Sequence, residues 1–398
     1  MLRADVLHHD LIDQIIARGS LWSAALIEAF RATPRHLFLD RVWSQREGWR
    51  QIDPATASEE DWRLLYTDRA ITTRLGSAEG ESAIAISSSS QPSLMAQMLE
   101  DLQLRPGLRV LEIGAGTGYN AALLAHVVGS VISIDVDREV LADARRHLEQ
   151  LPDRDVQLVH ADGRLGYPPA APYDRIQVTA ASEDLEPAWL AQLQPGGLVQ
   201  VPIDFAPGLA WLMQGEVRQG VFVGNLTRPA YFMPLRDEGE TGRDRSVARH
   251  PLPSPDRLTI RPSPEARWSD RRVHDSLREV LPSLALLALL QGLSIDYTVA
   301  TDGRGAYGVA DLERGEVCWL GPTQWYISGK GGEELGERLW RTWLDLGAPR
   351  AIEWHIQAAP DSRLLRPNPA ARAAHTRLGK RCAQLWELIE PRRRMWQE

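Results

Sequence analysis

The sequence predicts an α/β protein, a parallel sheet with helices on both faces followed by a smaller α+β unit, and three observations carry that reading. From residue 108 to residue 203, short apolar segments alternate with helical patterns, the arrangement that builds a parallel sheet. A glycine-rich turn, Gly114-Ala115-Gly116-Thr117-Gly118, stands between the first of these segments and its helix. Five prolines between His250 and Arg267 then mark a change of pattern. At 398 residues the chain also exceeds one ordinary core.

In chain order, the first hundred residues predict mostly helix. Leu21, Ala25, Leu26, Ala29 and Phe30 recur on one helical face, and Pro34 ends that helix. A loop-like stretch over 45–82 follows, then the serine run Ser87-Ser88-Ser89-Ser90 with Gln91-Pro92, then a helix over 93–102. Strands are predicted over 108–113, 131–134, 156–160, 173–179 and 198–203, with helices over 121–128 and 138–151. Two runs, 209–213 and 221–226, are close enough to pair as an antiparallel hairpin.

Residues 246–267 read as a proline-rich linker, which sets expected domains at 1–245 and 268–398. The second domain predicts a helix over 270–291, kinked or broken at Pro282. Short strands follow around Tyr297, Tyr307, Val317 and Tyr326, then a helix over 333–346 and a strand over 351–357. This part holds eight of the fourteen tryptophans, a composition that suits a peptide-binding surface. Trp340 and Trp343, three apart on a helix, have instead the spacing of core packing.

Composition narrows the partners. A net charge of −8 argues against non-specific nucleic-acid binding, and Arg392-Arg393-Arg394 reads as a solvated tail. The best apolar run, 284–290, is seven residues, too short to span a membrane, and the N-terminus lacks the build of a signal peptide. Two cysteines, Cys318 and Cys382, supply neither a disulfide framework nor a four-ligand zinc site. A cytoplasmic protein without metal, membrane or nucleic-acid partners is expected, and composition leaves the oligomeric state open.

The glycine turn carries the chemistry. Glycine suits it because the backbone bends tightly and lies against a ligand with no Cβ between them. A dinucleotide fingerprint would place its last glycine at position 119, which is Tyr119. The spacing here is G-x-G-x-G, preceded by Glu112, and an acid beside the turn suits a cationic cofactor better than a diphosphate. S-adenosylmethionine, with a sulfonium and an ammonium, answers that description, and NAD is the competing reading. Asp135, at the end of the second strand, is placed to accept both ribose hydroxyls. Asp162, followed by Gly163 at the end of the third, is placed to accept from the adenine amino group. The expected cofactor site is therefore Glu112, Gly114, Gly116, Gly118, Asp135, Asp162 and Gly163.

Four stretches then resemble the protein-L-isoaspartate (D-aspartate) O-methyltransferase family. They are Thr33-Pro34-Arg35-His36-Leu37-Phe38, Tyr66-Thr67-Asp68-Arg69-Ala70, Ser88-Ser89-Ser90-Gln91-Pro92, and Asp162-Gly163-Arg164-Leu165-Gly166-Tyr167 continuing through Ala171-Pro172-Tyr173-Asp174. The similarity covers roughly 15–230. It implies a Rossmann-like class I methyltransferase sheet, S-adenosylmethionine as cofactor, and Gly114, Gly116, Asp135 and Asp162 at its site. It places Ser90 against the substrate carboxylate, with Ser88 beside it as the second candidate catalytic residue. Ser89 departs from the family's apolar residue, and the insertion over about 42–63 is longer than usual. Arg35 and His36 read as a helix-end pair with no chemical role, and His160 as a strand-end histidine.

The implied reaction needs little acid–base help, because a side-chain carboxylate is already ionised and nucleophilic at neutral pH. Alignment and exclusion of water are what remain. The methyl ester invites attack by the adjacent backbone nitrogen, giving a succinimide (aspartimide) that opens to aspartate or isoaspartate. Repair of isoaspartate in proteins or peptides is one expectation. Tailoring of one aspartate in a dedicated ribosomal peptide is the second, motivated by the extra C-terminal domain that resembles those of peptide-tailoring homologues. A catalytically inactive cofactor-binding module is the third, disfavoured by the intact glycine turn and both acids.

Overall fold

A computed structural model describes residues 2–44, 47–76, 84–206, 209–236, 238, 259–262, 271–291, 293–299, 305–311, 313–321, 324–328, 331–347, 350–353, 355–359 and 385–389. Two compact units are present, one of 1–181, 186–201 and 232–245, the other of 182–185, 202–231 and 246–398. The division is therefore not a single point near residue 245, since 202–231 group with the C-terminal residues. Most of the expected linker, Cys382 and Arg392 to Arg394 lie outside the described residues.

The first unit opens with α1 (Leu2–Ala17), α2 (Ala24–Arg31) and a 3-10 turn, Arg35–Phe38, that Pro34 introduces. Leu21, Leu26, Ala29 and Phe30 are buried as their spacing predicts, whereas Ala25 is exposed. The start of α2 is held by the buried Glu100 carboxylate, which accepts from the N–H groups of Trp22 and Ser23 at 2.7 Å each. An acid there also complements the helix dipole. Ser58 and Asp61 form a capping box that begins α3 (Glu59–Leu65).

Among its described residues, the stretch 45–82, expected as loop, carries α3 and two strands of a four-stranded antiparallel sheet. Its strands are β1 (Arg41–Ser44), β2 (Gly48–Gln51), β3 (Ile71–Gly76) and β4 (Ile84–Ser89), in the order β2-β1-β3-β4. β1 and β2, four residues each with Arg, Ser and Gln among them, carry too little apolar alternation to be read as strands. The serine run is correspondingly strand and strand end, not loop. Asp143 holds this sheet to a later helix through Arg41 at 2.7 Å and Arg74 at 2.6 Å.

After α4 (Pro92–Asp101) the expected alternation is present almost element for element. It comprises β5 (Val110–Ile113), α5 (Tyr119–Val128), β6 (Ser130–Asp135), α6 (Arg138–Leu148), β7 (Asp155–His160), β8 (Tyr173–Val178), α7 (Pro187–Ala191) and β9 (Leu193–Ala206). These strands pair in parallel in the order β9-β8-β5-β6-β7. All four residues of β5 are buried, which is why the central strand reads as one apolar run with a single acid in it. One core joins the N-terminal helices to the sheet helices, through Ile15, Phe30, Phe38, Leu65, Leu99, Leu123 and Val131 among others.

In the second unit, β10 (Leu209–Arg218) and β11 (Val221–Pro229) form the expected antiparallel hairpin. The strand expected over 351–357 is β17 (His355–Ala359), preceded by a 3-10 turn, and it pairs with β11. Outside it lies β18 (Leu385–Ile389), which the sequence pattern did not suggest. A separate antiparallel sheet comprises β12 (Thr259–Pro262), β13 (Ser294–Val299), β14 (Gly305–Asp311), β15 (Glu316–Leu320) and β16 (Gln324–Ser328), in the order β12-β16-β15-β14-β13.

With this sheet go α8 (Arg271–Leu290), which continues through Pro282 rather than breaking there, and α9 (Gly332–Asp345). Trp319, Trp325, Trp340 and Trp343 are all buried. The rings of Trp340 and Trp343 are 4.8 Å apart, and the Trp343 indole N–H donates to Ser283 Oγ at 3.3 Å. These four tryptophans are core. Among the described residues no helix is long and apolar enough to cross a membrane, and no cluster could hold a metal ion.

Candidate functional site

The turn after β5 is built as the glycines predict. Gly114, Gly116 and Gly118 have φ of 103°, 52° and 85°, the left-handed region that disfavours a side chain. The N–H groups of Gly114 and Ala115 both donate to the Ile134 carbonyl, at 2.8 and 3.1 Å, which fastens the turn to the end of β6. A Cβ on Gly114 would lie 2.8 Å from Thr179 Oγ1, and that hydroxyl donates to the Gly114 carbonyl at 2.6 Å. At Gly116 the nearest atom to such a Cβ is the Ser88 carbonyl oxygen, 3.7 Å away. The serine strand therefore crosses the glycine turn.

Asp135 ends β6 with Oδ2 accepting from the Gly116 N–H at 3.3 Å and Oδ1 from the Asp137 N–H at 3.0 Å. Burial pushes its carboxyl above the ordinary range, against the pull of those two donors. In the neighbouring strand His160 is level with Asp135, and the Ala161 N–H donates to the Asp135 carbonyl at 3.1 Å. Asp162 thus follows directly, and its Oδ1 accepts from the Arg164 N–H at 2.9 Å. Gly163 is required by packing, since a Cβ there would lie 2.7 Å from Ile113 and 2.8 Å from Leu235. His160 bonds the Val136 carbonyl at 3.0 Å, the strand-end role expected of it.

Glu112 sits behind the turn. It is fully buried, with one oxygen accepting from Asn120 Nδ2 at 2.6 Å and the other from the Ser133 hydroxyl. The network continues from Asn120 to Gln177 at 2.9 Å, Gln177 to Gln200 at 3.2 Å, and Gln200 to the Met98 carbonyl at 3.1 Å. With neutral partners only, burial raises this carboxyl to about 7, and Asp135 adds to the rise. Glu112 is therefore only partly ionised near neutral pH, behind a glycine turn whose rim carries Asp135 and Asp162. Such a donor set suits a nucleoside bearing positive charge, which would satisfy the hydroxyl-accepting acids and relieve the buried one.

On β4 the pleat sorts the serines. Ser87 and Ser89 are buried, while Ser88 and Ser90 are half-buried and share the other face. The residue that sequence reasoning passed over is Arg35, whose guanidinium is fully buried directly behind this segment. It donates to Ser89 Oγ at 3.3 Å and to the carbonyls of Ser89 at 3.3 Å and Ser90 at 3.1 Å. It also donates to the carbonyls of Leu65 at 3.1 Å, Thr67 at 2.8 Å and Arg69 at 2.8 Å. Only its place in the family-like Thr33–Phe38 stretch could have signalled this. Its neighbour His36 bonds the Tyr66 hydroxyl. Asp68, from the second family-like stretch, accepts from the Ser93 N–H at 2.9 Å and so holds the start of α4.

Known proteins are similar to this chain. The sequence model of the protein-L-isoaspartate(D-aspartate) O-methyltransferase family matches residues 6–240. A protein-L-isoaspartate O-methyltransferase of Ignicoccus hospitalis is 33% identical over 232 residues, which is 58% of this chain and 97% of that protein. Protein-L-isoaspartate O-methyltransferase 1 of an Anaeromyxobacter species is 45% identical over 148 residues, 37% of this chain and 70% of its own length. A solved structure of a protein-L-isoaspartate O-methyltransferase is similar with a TM-score of 0.51 and 26% identity, covering 88% of this chain and 96% of that one. That coverage reaches well beyond residue 245.

Proposed function

The chain belongs to the protein-L-isoaspartate (D-aspartate) O-methyltransferase family, and from that premise we propose that it transfers a methyl group from S-adenosylmethionine to the side-chain carboxylate of an isoaspartyl residue in a protein or peptide. Its parallel sheet is the Rossmann-like sheet of class I methyltransferases, accompanied by a smaller α+β C-terminal part. The observation that carries the reading is the 3.7 Å approach of the Ser88 carbonyl to the Cβ position of Gly116, which puts the serine segment over the cofactor cradle.

In this reading Gly114 and Gly116 let the backbone lie against the cofactor, Asp135 accepts from the ribose hydroxyls and Asp162 from the adenine amino group. Gly118, expected at the cofactor too, instead packs on α6 at Ala144 and Leu148. Bound there, S-adenosylmethionine supplies an electrophilic methyl group. Glu112 contributes charge from behind the turn rather than a direct contact, because Asn120 and Ser133 occupy its oxygens. Ser88 and Ser90 donate to the substrate carboxylate and orient it, and no general base is needed for a group already ionised. The neighbouring backbone nitrogen then attacks the ester carbonyl, the C–OCH3 bond breaks, methanol leaves with the amide proton, and a succinimide remains.

Two observations favour isoaspartate methylation over tailoring of one dedicated peptide. Four tryptophans of the C-terminal part, Trp319, Trp325, Trp340 and Trp343, are core and offer no peptide-binding face. A structure named for the isoaspartate enzyme is similar over a length that takes in much of that part. The test pairs calorimetry with a transfer assay. S-adenosylhomocysteine should bind and NAD should not, and methyl should pass to an isoaspartyl peptide far faster than to its aspartyl twin. Transfer to neither peptide, with cofactor bound, would refute the substrate assignment.

A further inference from the structure

Arg35 has no assigned part in this chemistry, yet its environment is the most unusual in the first unit. Among the described residues the buried guanidinium forms no ion pair, Asp68 acting on it only at a distance, and the acceptors it bonds are five carbonyls and one serine hydroxyl. Burial lowers its pKa to about 10, so it remains charged at neutral pH. A guanidinium has five N–H groups in a rigid fork. Here six bonds are made, one N–H being shared by the Ser89 and Ser90 carbonyls.

The two sets of acceptors belong to different segments. Leu65, Thr67 and Arg69 lie at and just beyond the C-terminal end of α3, where carbonyls lack helical partners and the dipole is negative. Ser89 ends β4 and Ser90 follows it, next to the half-buried Ser88 and Ser90 side chains. An apolar residue of similar size would leave five carbonyls unbonded in the interior, whereas the fork fixes the separation of the two segments. We infer that Arg35 is a positioning residue, which holds the Ser88–Ser90 segment at the height over the glycine turn at which its hydroxyls meet the substrate carboxylate. The inference rests on the proposed function.

The consequence is a split in the kinetics. A carboxylate loses its charge as it is methylated, so hydroxyl donors hold the ground state at least as tightly as the transition state. Displacing them raises KM and spares kcat. Lysine keeps the charge but has three donors in a different geometry, so it does not replace the fork.

The experiment measures KM and kcat for an isoaspartyl peptide, S-adenosylhomocysteine affinity and Tm for the full chain and for Arg35→Lys and Arg35→Gln. In both variants KM should rise about tenfold or more, the scale of a lost hydrogen bond to a charged group. Both should keep kcat within about threefold and S-adenosylhomocysteine affinity within about twofold of the wild type. An unchanged KM, or cofactor affinity falling in step with KM, overturns the positioning role. Where neither variant is soluble, Ser89→Ala decides, since it removes only the hydroxyl that accepts from Nε. It should raise KM about threefold, and an unchanged KM overturns the role. A wild-type protein that binds S-adenosylhomocysteine but methylates no isoaspartyl peptide counts against the proposed function. An active wild type with unaffected variants counts against Arg35 alone.

Discussion

Replacing Glu112 by glutamine removes a buried ionisable group while keeping its shape. The carboxyl is fully enclosed, and burial raises it from 4.5 to about 7, with neutral Ser133 and Asn120 opposing the rise by hydrogen bonding and Asp135 adding to it. A rise of that size corresponds to roughly 3 kcal/mol. Because the folded-state value lies above the unfolded one, this stability is fully present below about pH 4.5. It is lost as pH rises through about 7, where the buried group must ionise. Glutamine does not ionise, and its amide remains satisfied, with the oxygen accepting from Asn120 and the NH2 donating to Ser133. Urea unfolding of both proteins between pH 5 and 9 should therefore diverge. Glu112→Gln should gain on the wild type up to about pH 7, then hold an advantage approaching ~3 kcal/mol. The variant should also lose more affinity for the cationic S-adenosylmethionine than for neutral S-adenosylhomocysteine. Parallel pH profiles would refute the reasoning, because they would mean that Glu112 does not titrate in this range.

Four further outcomes are expected. Asp135→Ala should weaken S-adenosylhomocysteine binding by about 1–3 kcal/mol in calorimetry, the scale for a lost buried polar contact. Ser90→Ala should lower kcat/KM for an isoaspartyl peptide with cofactor affinity nearly unchanged, and equal kcat/KM would mean that the serine segment is structural only. Trp340→Ala, in the aromatic core beside Trp325 and Trp343, should destabilise the second unit by about 3–5 kcal/mol in denaturant titrations while leaving peptide KM unaltered. Removal of residues 268–398 should yield insoluble protein, because β11 loses β17 and presents a bare edge. A soluble, cofactor-binding fragment in a thermal melt would contradict that last expectation.

The sequence by itself determined the parallel sheet, the glycine turn and the two strand-end acids. Each is a local pattern: β5 is apolar because it is buried throughout, and Gly114, Gly116 and Gly118 are spaced for backbone bends that all three adopt. The level of Asp135 with His160, which brings Asp162 to the same rim, is set by the parallel register of β6 and β7 and was not readable from chain spacing. The sheet of β1 to β4 was not readable either, because β1 and β2 are short and polar and β1 meets β3 only where Trp43 pairs with the distant Thr72. Nor was the sorting of Ser88 and Ser90 from Ser87 and Ser89, which exists only once the run is a pleated strand. In the C-terminal part, α9 spacing suggested a tryptophan core, but the pairing of β17 with β11 is a contact between distant segments that no periodicity encodes. Arg35 shows the limit most clearly. A buried guanidinium bonded to carbonyls is written with the same letter as a solvated one. Its role is fixed by carbonyls at 65, 67, 69, 89 and 90 that only tertiary folding brings around it.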